Sequence, residues 1–230
     1  MGQDSVDVWR VNLLAECTHL SAHKAFLSDD EWVRFEQFKN HKQADYYAIV
    51  RSVQRQILAK YLGGDPRLIR IQKGLYGKPE VGNQKLFFNI SHSADCLLVA
   101  VSSRNEVGVD IELVKERNHL PVLVDRCFAL KERQYWLDLP DIDKLEFFYR
   151  FWVAKEAFVK AVGRGIALGM SGCELSLPDQ SGFSVIPQAY GSADEWSLTF
   201  LDIDSAHQAA LVTQAKHIQV NVLSYKIDRQ

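Results

Sequence analysis

Between Asp143 and Val162 the chain keeps a helical period yet is apolar around most of its circumference. Phe147, Phe148, Phe151, Ala154, Phe158, Ala161 and Val162 leave only a narrow polar face, made of Lys155, Glu156 and Lys160. Little of such a helix can face water, so the fold has to cover it. Glu156 and Lys160 are four residues apart and share one helix face, with Trp152 one turn earlier. Upstream, Gly108-Val109-Asp110-Ile111-Glu112 reads as a strand. Its side chains alternate, so Asp110 and Glu112 share one face while Val109 and Ile111 take the other. Where this strand meets this helix, carboxylates from Asp110, Glu112 and Glu156 converge with the Lys160 ammonium. That set suits a hard, oxygen-ligated cation holding a phosphorylated substrate.

Each pattern also has a plainer account. An acidic strand face can simply be solvated, and Glu156 with Lys160 can be an exposed intrahelical ion pair. Two like charges on an otherwise apolar strand, however, destabilise it unless something neutralises them. Phe88-Asn89-Ile90-Ser91-His92-Ser93 ends a strand in polar groups that can offer several donors to a phosphate, after a turn carrying Lys78. Arg51 and Arg55 are again four apart, and read equally well as a solvated helix face.

The remaining pattern predicts an α+β protein. Ser5–Leu14 alternates as a first strand, and Ser28-Asp29-Asp30-Glu31 is a capping box opening a helix to about Phe38. A long helix over Lys42–Leu62 ends at Gly63-Gly64, as a helix C-terminus should. Strands are predicted at Leu68–Gln72, Leu86–Ile90, Leu97–Ser102 and Val107–Leu113, with a turn over Gly74–Pro79. Helices follow at Pro121–Phe128, Leu130–Leu137 and Asp143–Val162, the last closed by Gly163. Strands return at Cys173–Leu177, Trp196–Ile203, Ala209–Thr213 and Ile218–Tyr225. Strict βαβ alternation is missing, which favours α+β over a parallel sheet. Each half runs strand, helices, strands, which places a division at 1–105 and 106–230.

The chain has 230 residues and a formal net charge of −2, with no general footprint for nucleic acid. Its four cysteines, Cys17, Cys96, Cys127 and Cys173, are scattered without a CxxC pair, which argues against zinc or a disulfide framework. The longest apolar run, Cys96–Val101, is too short to span a bilayer. Residues 1–6 carry no secretory signal pattern, so a cytoplasmic location is expected.

Three segments in order carry a resemblance: Tyr76-Gly77-Lys78-Pro79 followed by Asn89-Ile90-Ser91-His92-Ser93, then Gly108–Glu112, then Trp152–Ile166 with its W-x-x-K-E-A-x-x-K core. Together they resemble the 4′-phosphopantetheinyl transferases of the surfactin-activating type. The resemblance implies two similar α+β halves about a pseudo-twofold axis, with coenzyme A between them. It implies magnesium held by Asp110, Glu112 and Glu156. Coenzyme contacts would come from Arg34, Arg51, Arg55, Lys78, Ser91, His92, Lys155 and Lys160, with Asp110 also close to the coenzyme and Glu156 and Lys160 as the catalytic pair. Glu31 departs from the basic residue expected near Arg34. The implied reaction moves 4′-phosphopantetheine from coenzyme A to a serine of an apo acyl or peptidyl carrier protein, releasing 3′,5′-ADP, a holo-[acyl-carrier-protein] synthase activity. Another magnesium-dependent phosphate transfer or hydrolysis, or an inactive carrier-binding module, are the alternatives. Phe128, Leu130, Lys131 and Arg133 are candidates for carrier recognition. A monomer is expected, since two fused halves already enclose a site.

Overall fold

The computed structural model describes residues 5–82, 86–164 and 169–227. Gly165 and Ile166 of the third motif segment lie outside the described residues. The first half opens with β1 (Ser5–Asn12), followed by three short helices, α1 (Leu13–Cys17), α2 (Leu20–Lys24) and α3 (Asp29–Glu36). Helix α3 starts at the predicted capping box: Ser28 and Glu31 each accept the other's backbone N–H. The long α4 (His41–Leu62) stops at Gly63, whose φ of 74° is the left-handed conformation that glycine adopts without strain. A small hairpin, β2 (Ile71–Lys73) and β3 (Pro79–Val81), precedes β4 (Phe87–Ser93) and β5 (Cys96–Ser102). The predicted strand at Leu68–Gln72 is displaced. Asp65 caps a 3-10 turn over Pro66–Leu68, and pairing begins only at Ile71.

The second half begins with β6 (Val107–Leu113) and continues through α5 (Leu120–Cys127), α6 (Leu130–Asp138) and the apolar α7 (Asp141–Ala161). A minimal hairpin, β7 (Glu174–Leu175) and β8 (Phe183–Val185), stands where a longer strand at Cys173–Leu177 was expected. Then come β9 (Ser197–Phe200), β10 (His207–Thr213) and β11 (Gln219–Ser224).

The two halves share one topology. In each, a long helix separates the first strand from a later antiparallel pair, and the last strand of the three lies in the middle, giving β1-β5-β4 and β6-β10-β9. This is the repetition that the motifs implied. The division at 105/106 does not hold for the last strand, because β11 pairs in parallel with β1 and extends the first sheet. Its neighbour β1 would otherwise leave an open edge.

The layers run α4, first sheet, second sheet, α7. Val99, Val101 and Phe88 pack with Ile49, Val53 and Ile57 of α4. The opposite face of the first sheet, with Val6, Val8, Leu98 and Ala100, packs on Val107, Val109, Ile111 and Leu211 of the second. Strand β5 is therefore buried along its whole length, which explains its unbroken apolar run. The far side of the second sheet, with Ala210 and Val212, meets α7. No helix among the described residues is long and apolar enough to cross a membrane.

Candidate active site

Gly108 lets β6 lie directly on α7. A Cβ there would stand 2.0 Å from the carbonyl oxygen of Ala157 and 2.4 Å from the backbone nitrogen of Ala161. This contact brings the acidic face of β6 beside the polar stripe of the helix. Lys160 Nζ lies 2.6 Å from Asp110 Oδ1 and donates to Ser91 Oγ at 2.9 Å. Ser91 Oγ in turn donates to the same Asp110 oxygen at 2.8 Å. With Oδ1 so occupied, the other carboxylate oxygen of Asp110, Oδ2, is buried with no hydrogen-bond partner. Burial raises the Asp110 pKa above the ordinary carboxylate range, with Lys160 and Ser91 pulling the other way. Burial likewise raises Glu156, and the charges of Asp110 and Glu112 raise it further. The carboxylates of Asp110, Glu112 and Glu156 thus lie within electrostatic reach of one another. Among the described residues, no three Asp, Glu, His or Cys side chains stand close enough together to cage an ion as they are placed. Lys160 holds the position of counter-charge instead.

The polar end of β4 has two faces with separate tasks. Asn89 Oδ1, Ser91 Oγ and Ser93 Oγ accept from the backbone N–H groups of Val109, Ile111 and Leu113 at 3.0, 3.4 and 3.0 Å. These amides lie on the edge of β6 with no strand partner, and buried N–H groups need acceptors. The two sheets are thus joined along this edge by side chains of β4. His92 points to the other face and is exposed, its ring edge-on to Tyr46 at 5.2 Å. Desolvation on that side, then the Lys160 charge, lowers its pKa. His92 closes one end of a groove of about 640 Å³ whose walls include Phe38, Lys42, Tyr46 and Tyr47. Arg34 is exposed beside it, its guanidinium 5.3 Å from the Phe38 ring. A second cavity of about 250 Å³ lies between the β2–β3 turn and the end of α7, with Tyr76, Lys78, Pro79, Ile90 and Lys160 in its lining. Lys78 ties this turn to the second half, donating to Glu106 at 2.5 Å and to the Ala161 carbonyl at 2.7 Å.

Three predicted coenzyme contacts lie elsewhere. Arg55 is 4% exposed and pairs with Glu31 at 2.5 Å. Its Nη1 donates to the carbonyls of Pro66, Arg67 and Ile69. Arg51 donates to the same Glu31 and to Gln54. Glu31 is thus the counter-ion of two arginines and the cap of α3, and those arginines and their pairing hold its carboxyl below the usual range despite burial. Lys155 is fully buried, paired with the equally buried Glu132 at 2.6 Å. It also donates to the carbonyls of Met170, Cys173 and Cys127. Arg55 and Lys155 therefore clamp loops to their helices.

The sequence pattern gave no part to Arg117 or Lys42, and to Tyr76 only a place in the Lys78 turn. Arg117 follows β6 in a loop. It donates to Tyr149 Oη at 2.8 Å, lies 3.9 Å from Glu112, and spreads over the Trp152 ring. Tyr76 carries the Arg164 guanidinium 4.4 Å above its ring. No spacing signal marks loop residues such as Arg117 and Tyr76, and Lys42 is one exposed position in the first turn of α4.

Residues 106–213 match the model of the 4′-phosphopantetheinyl transferase superfamily. The 4′-phosphopantetheinyl transferase HetI of Nostoc sp. is 32% identical over 212 residues, covering 90% of this chain and 87% of that protein. The chain belongs to the 4′-phosphopantetheinyl transferase family. It is a transferase, and its family's chemistry is the modification of carrier proteins with 4′-phosphopantetheine from coenzyme A. A 4′-phosphopantetheinyl transferase of Bacillus subtilis is 30% identical over 166 residues, 70% of this chain and 71% of its own. The holo-[acyl-carrier-protein] synthase of Thermotoga maritima overlaps 49% of this chain and 64% of its own, with 20% identity and a TM-score of 0.39.

Proposed function

We propose that transfer takes place at the seam where β4, β6 and α7 meet, with magnesium held by Asp110, Glu112 and Glu156. The observation that carries this reading is Asp110: a buried carboxylate with one oxygen saturated by Ser91 and Lys160 and the other without a partner. A buried acceptor left unpaired costs about 1–3 kcal/mol, and a cation at Oδ2 would relieve it. The donor set is all carboxylate, the chemistry that magnesium prefers, with no thiolate or imidazole. When bound, the ion would neutralise charge on the diphosphate of coenzyme A.

The chain's own residues account for the rest. The phosphoadenosine end of the coenzyme would occupy the space beside the Lys78 turn, with Arg34 and Lys42 as cations and His92 as a neutral ring N–H donor toward its 3′-phosphate. The serine Oγ of the carrier attacks the phosphorus that bears pantetheine, forming a new P–O bond. The bond from that phosphorus to the bridging oxygen breaks, and 3′,5′-ADP leaves with the electron pair. Glu156 would receive the serine proton, directly or through a water. Lys160 would stabilise the negative charge that grows on the leaving phosphate oxygen. Positioning and charge stabilisation suffice for this class of reaction. Both halves of the seam come from one chain, so a monomer suffices, working in the cytoplasm where coenzyme A and carriers meet.

The test is incubation with coenzyme A, magnesium and an apo carrier. The expected result is a carrier mass gain of one phosphopantetheine with 3′,5′-ADP released, lost on chelation and in Asp110→Ala and Glu156→Ala. Undiminished transfer by either variant would remove the metal assignment. Hydrolysis of coenzyme A without carrier modification would support a different phosphate-transfer enzyme.

A further inference from the structure

The side chains that join β4 to β6 are not equivalent. Asn89, Ser91 and Ser93 all accept a backbone N–H of β6. Only the serines have a hydroxyl hydrogen to give in return, and each gives it to a carboxylate. Ser91 donates to Asp110 Oδ1 at 2.8 Å, and Ser93 to Glu112 Oε2 at 3.2 Å. The same geometry therefore repeats two residues apart: each hydroxyl accepts the amide one residue beyond the acid that it holds. An anchored acceptor fixes where the oxygen sits, and so where its hydrogen can point. The terminal torsion of a carboxylate is otherwise broad and two-fold, so a free Asp110 could exchange its two oxygens. Ser91 is 6% exposed and surrounded by these partners, which leaves it little surface for a coenzyme.

We propose that Ser91 and Ser93 are positioning residues that let the first half of the chain aim the metal-binding carboxylates of the second. This rests on the reading of Asp110 and Glu112 as magnesium ligands. It moves Ser91 from the coenzyme contacts to the support of Asp110, and it adds Ser93, which the motif analysis left without a role. With Ser91 and Lys160 both on Oδ1, Oδ2 is the one oxygen of Asp110 left for a cation. Groups that orient metal ligands in this way typically contribute ten- to hundred-fold to metal affinity.

Manganese provides a probe, with free ion counted by electron paramagnetic resonance while the enzyme is held at saturating coenzyme A. Six proteins decide the matter: the parent, Ser91→Ala, Ser91→Thr, Ser93→Ala, Asn89→Ala and Asp110→Ala. Asn89→Ala removes a seam bond of the same kind without touching a carboxylate, so it controls for loosening of the two sheets. Ser91→Ala should weaken manganese binding about tenfold or more. Ser91→Thr, which keeps the hydroxyl, should bind more tightly than Ser91→Ala. Asn89→Ala should lose thermal stability yet keep the parent's affinity for the ion. Ser93→Ala should fall between the parent and Ser91→Ala, because its bond is longer and its site more open; it also serves if Ser91→Ala fails to fold. Equal affinities for the Ser91→Ala and Asn89→Ala proteins, with Asp110→Ala unable to bind, would overturn the positioning role and leave the metal site standing. Parent-like binding by Asp110→Ala would instead remove the metal site itself.

Discussion

Replacing Gly108 by alanine tests the contact on which the site depends. The added carbon would stand 2.0 Å from the Ala157 oxygen, whereas a carbon–oxygen approach closes at about 3.3 Å, so β6 and α7 must part by about 1.3 Å. The obstructing atoms are backbone of a buried helix and cannot swing aside. Overpacking of this kind costs about 1–3 kcal/mol and occasionally more, and the backbone contact places this variant at the upper end. For a chain of this size each kcal/mol lowers Tm by about 2–4 °C, so a fall of roughly 6–12 °C is expected. The effect on rate should be larger than stability alone suggests. Position 108 is two residues from Asp110, and the atoms it strikes belong to the residues following Glu156 and Lys160. An error of about 1 Å in placing reacting groups can cost roughly a hundredfold. The assay is carrier modification followed by mass spectrometry, well below the variant's Tm. Gly64→Ala is the reference: its φ of 81° brings local strain, but no atom lies within 4 Å of the added carbon. A Gly108→Ala protein that matched the parent in both Tm and rate would refute the strand–helix contact and the convergence of charges built on it.

Lys155→Met should cost about 3–5 kcal/mol in denaturant unfolding, because it strands the buried Glu132 charge, and adding Glu132→Gln should recover much of the loss. The raised pKa values of Asp110 and Glu156 give a signed dependence on pH. Their stabilising protonated forms are fully present below the unfolded carboxylate range and are lost as pH rises through the folded values, so magnesium should raise Tm more at neutral than at acidic pH. Comparing Tm with and without magnesium at each pH cancels His23, whose buried ring, held below its ordinary pKa, costs stability as pH falls. Lys131→Glu, at a side chain 81% exposed, should raise KM for an acidic carrier while leaving coenzyme A binding unchanged; unchanged carrier kinetics at low salt would move the docking surface elsewhere. Neighbouring Phe128 is fully buried and belongs to the core, whereas Leu130 is 78% exposed.

What could be read from the chain was local and periodic. The acidic strand, the apolar helix, the capping box at Ser28 and the glycine stops at Gly63 and Gly163 all rest on spacings of a few residues, and all appear in the fold. The same alternation that sorted Asp110 from Val109 also separates Ser91 from His92, but a row of polar residues reads as one donor cluster until its edge partner is known. Burial of cations was less legible still. Arg51 with Arg55 has the same spacing whether solvated or paired, and the decisive Glu31 lies on another helix. Lys155 sits beside Glu156 in the motif, yet helix geometry turns one into the core and the other toward the seam.

The parallel pairing of β11 with β1 has a consequence for how the protein is made. The amino-terminal strand acquires β5 as a neighbour early, but its other edge stays open until residues 219–224 have left the ribosome. Until then the largely buried β1 carries an unpaired edge, a template for association with other chains. Pairing of the first described strand with the last also makes closure the most non-local event in the fold, and so a slow one. Release of a chain stopped just short of β11 should yield aggregation rather than a working first half, even though every residue proposed for catalysis would already be present.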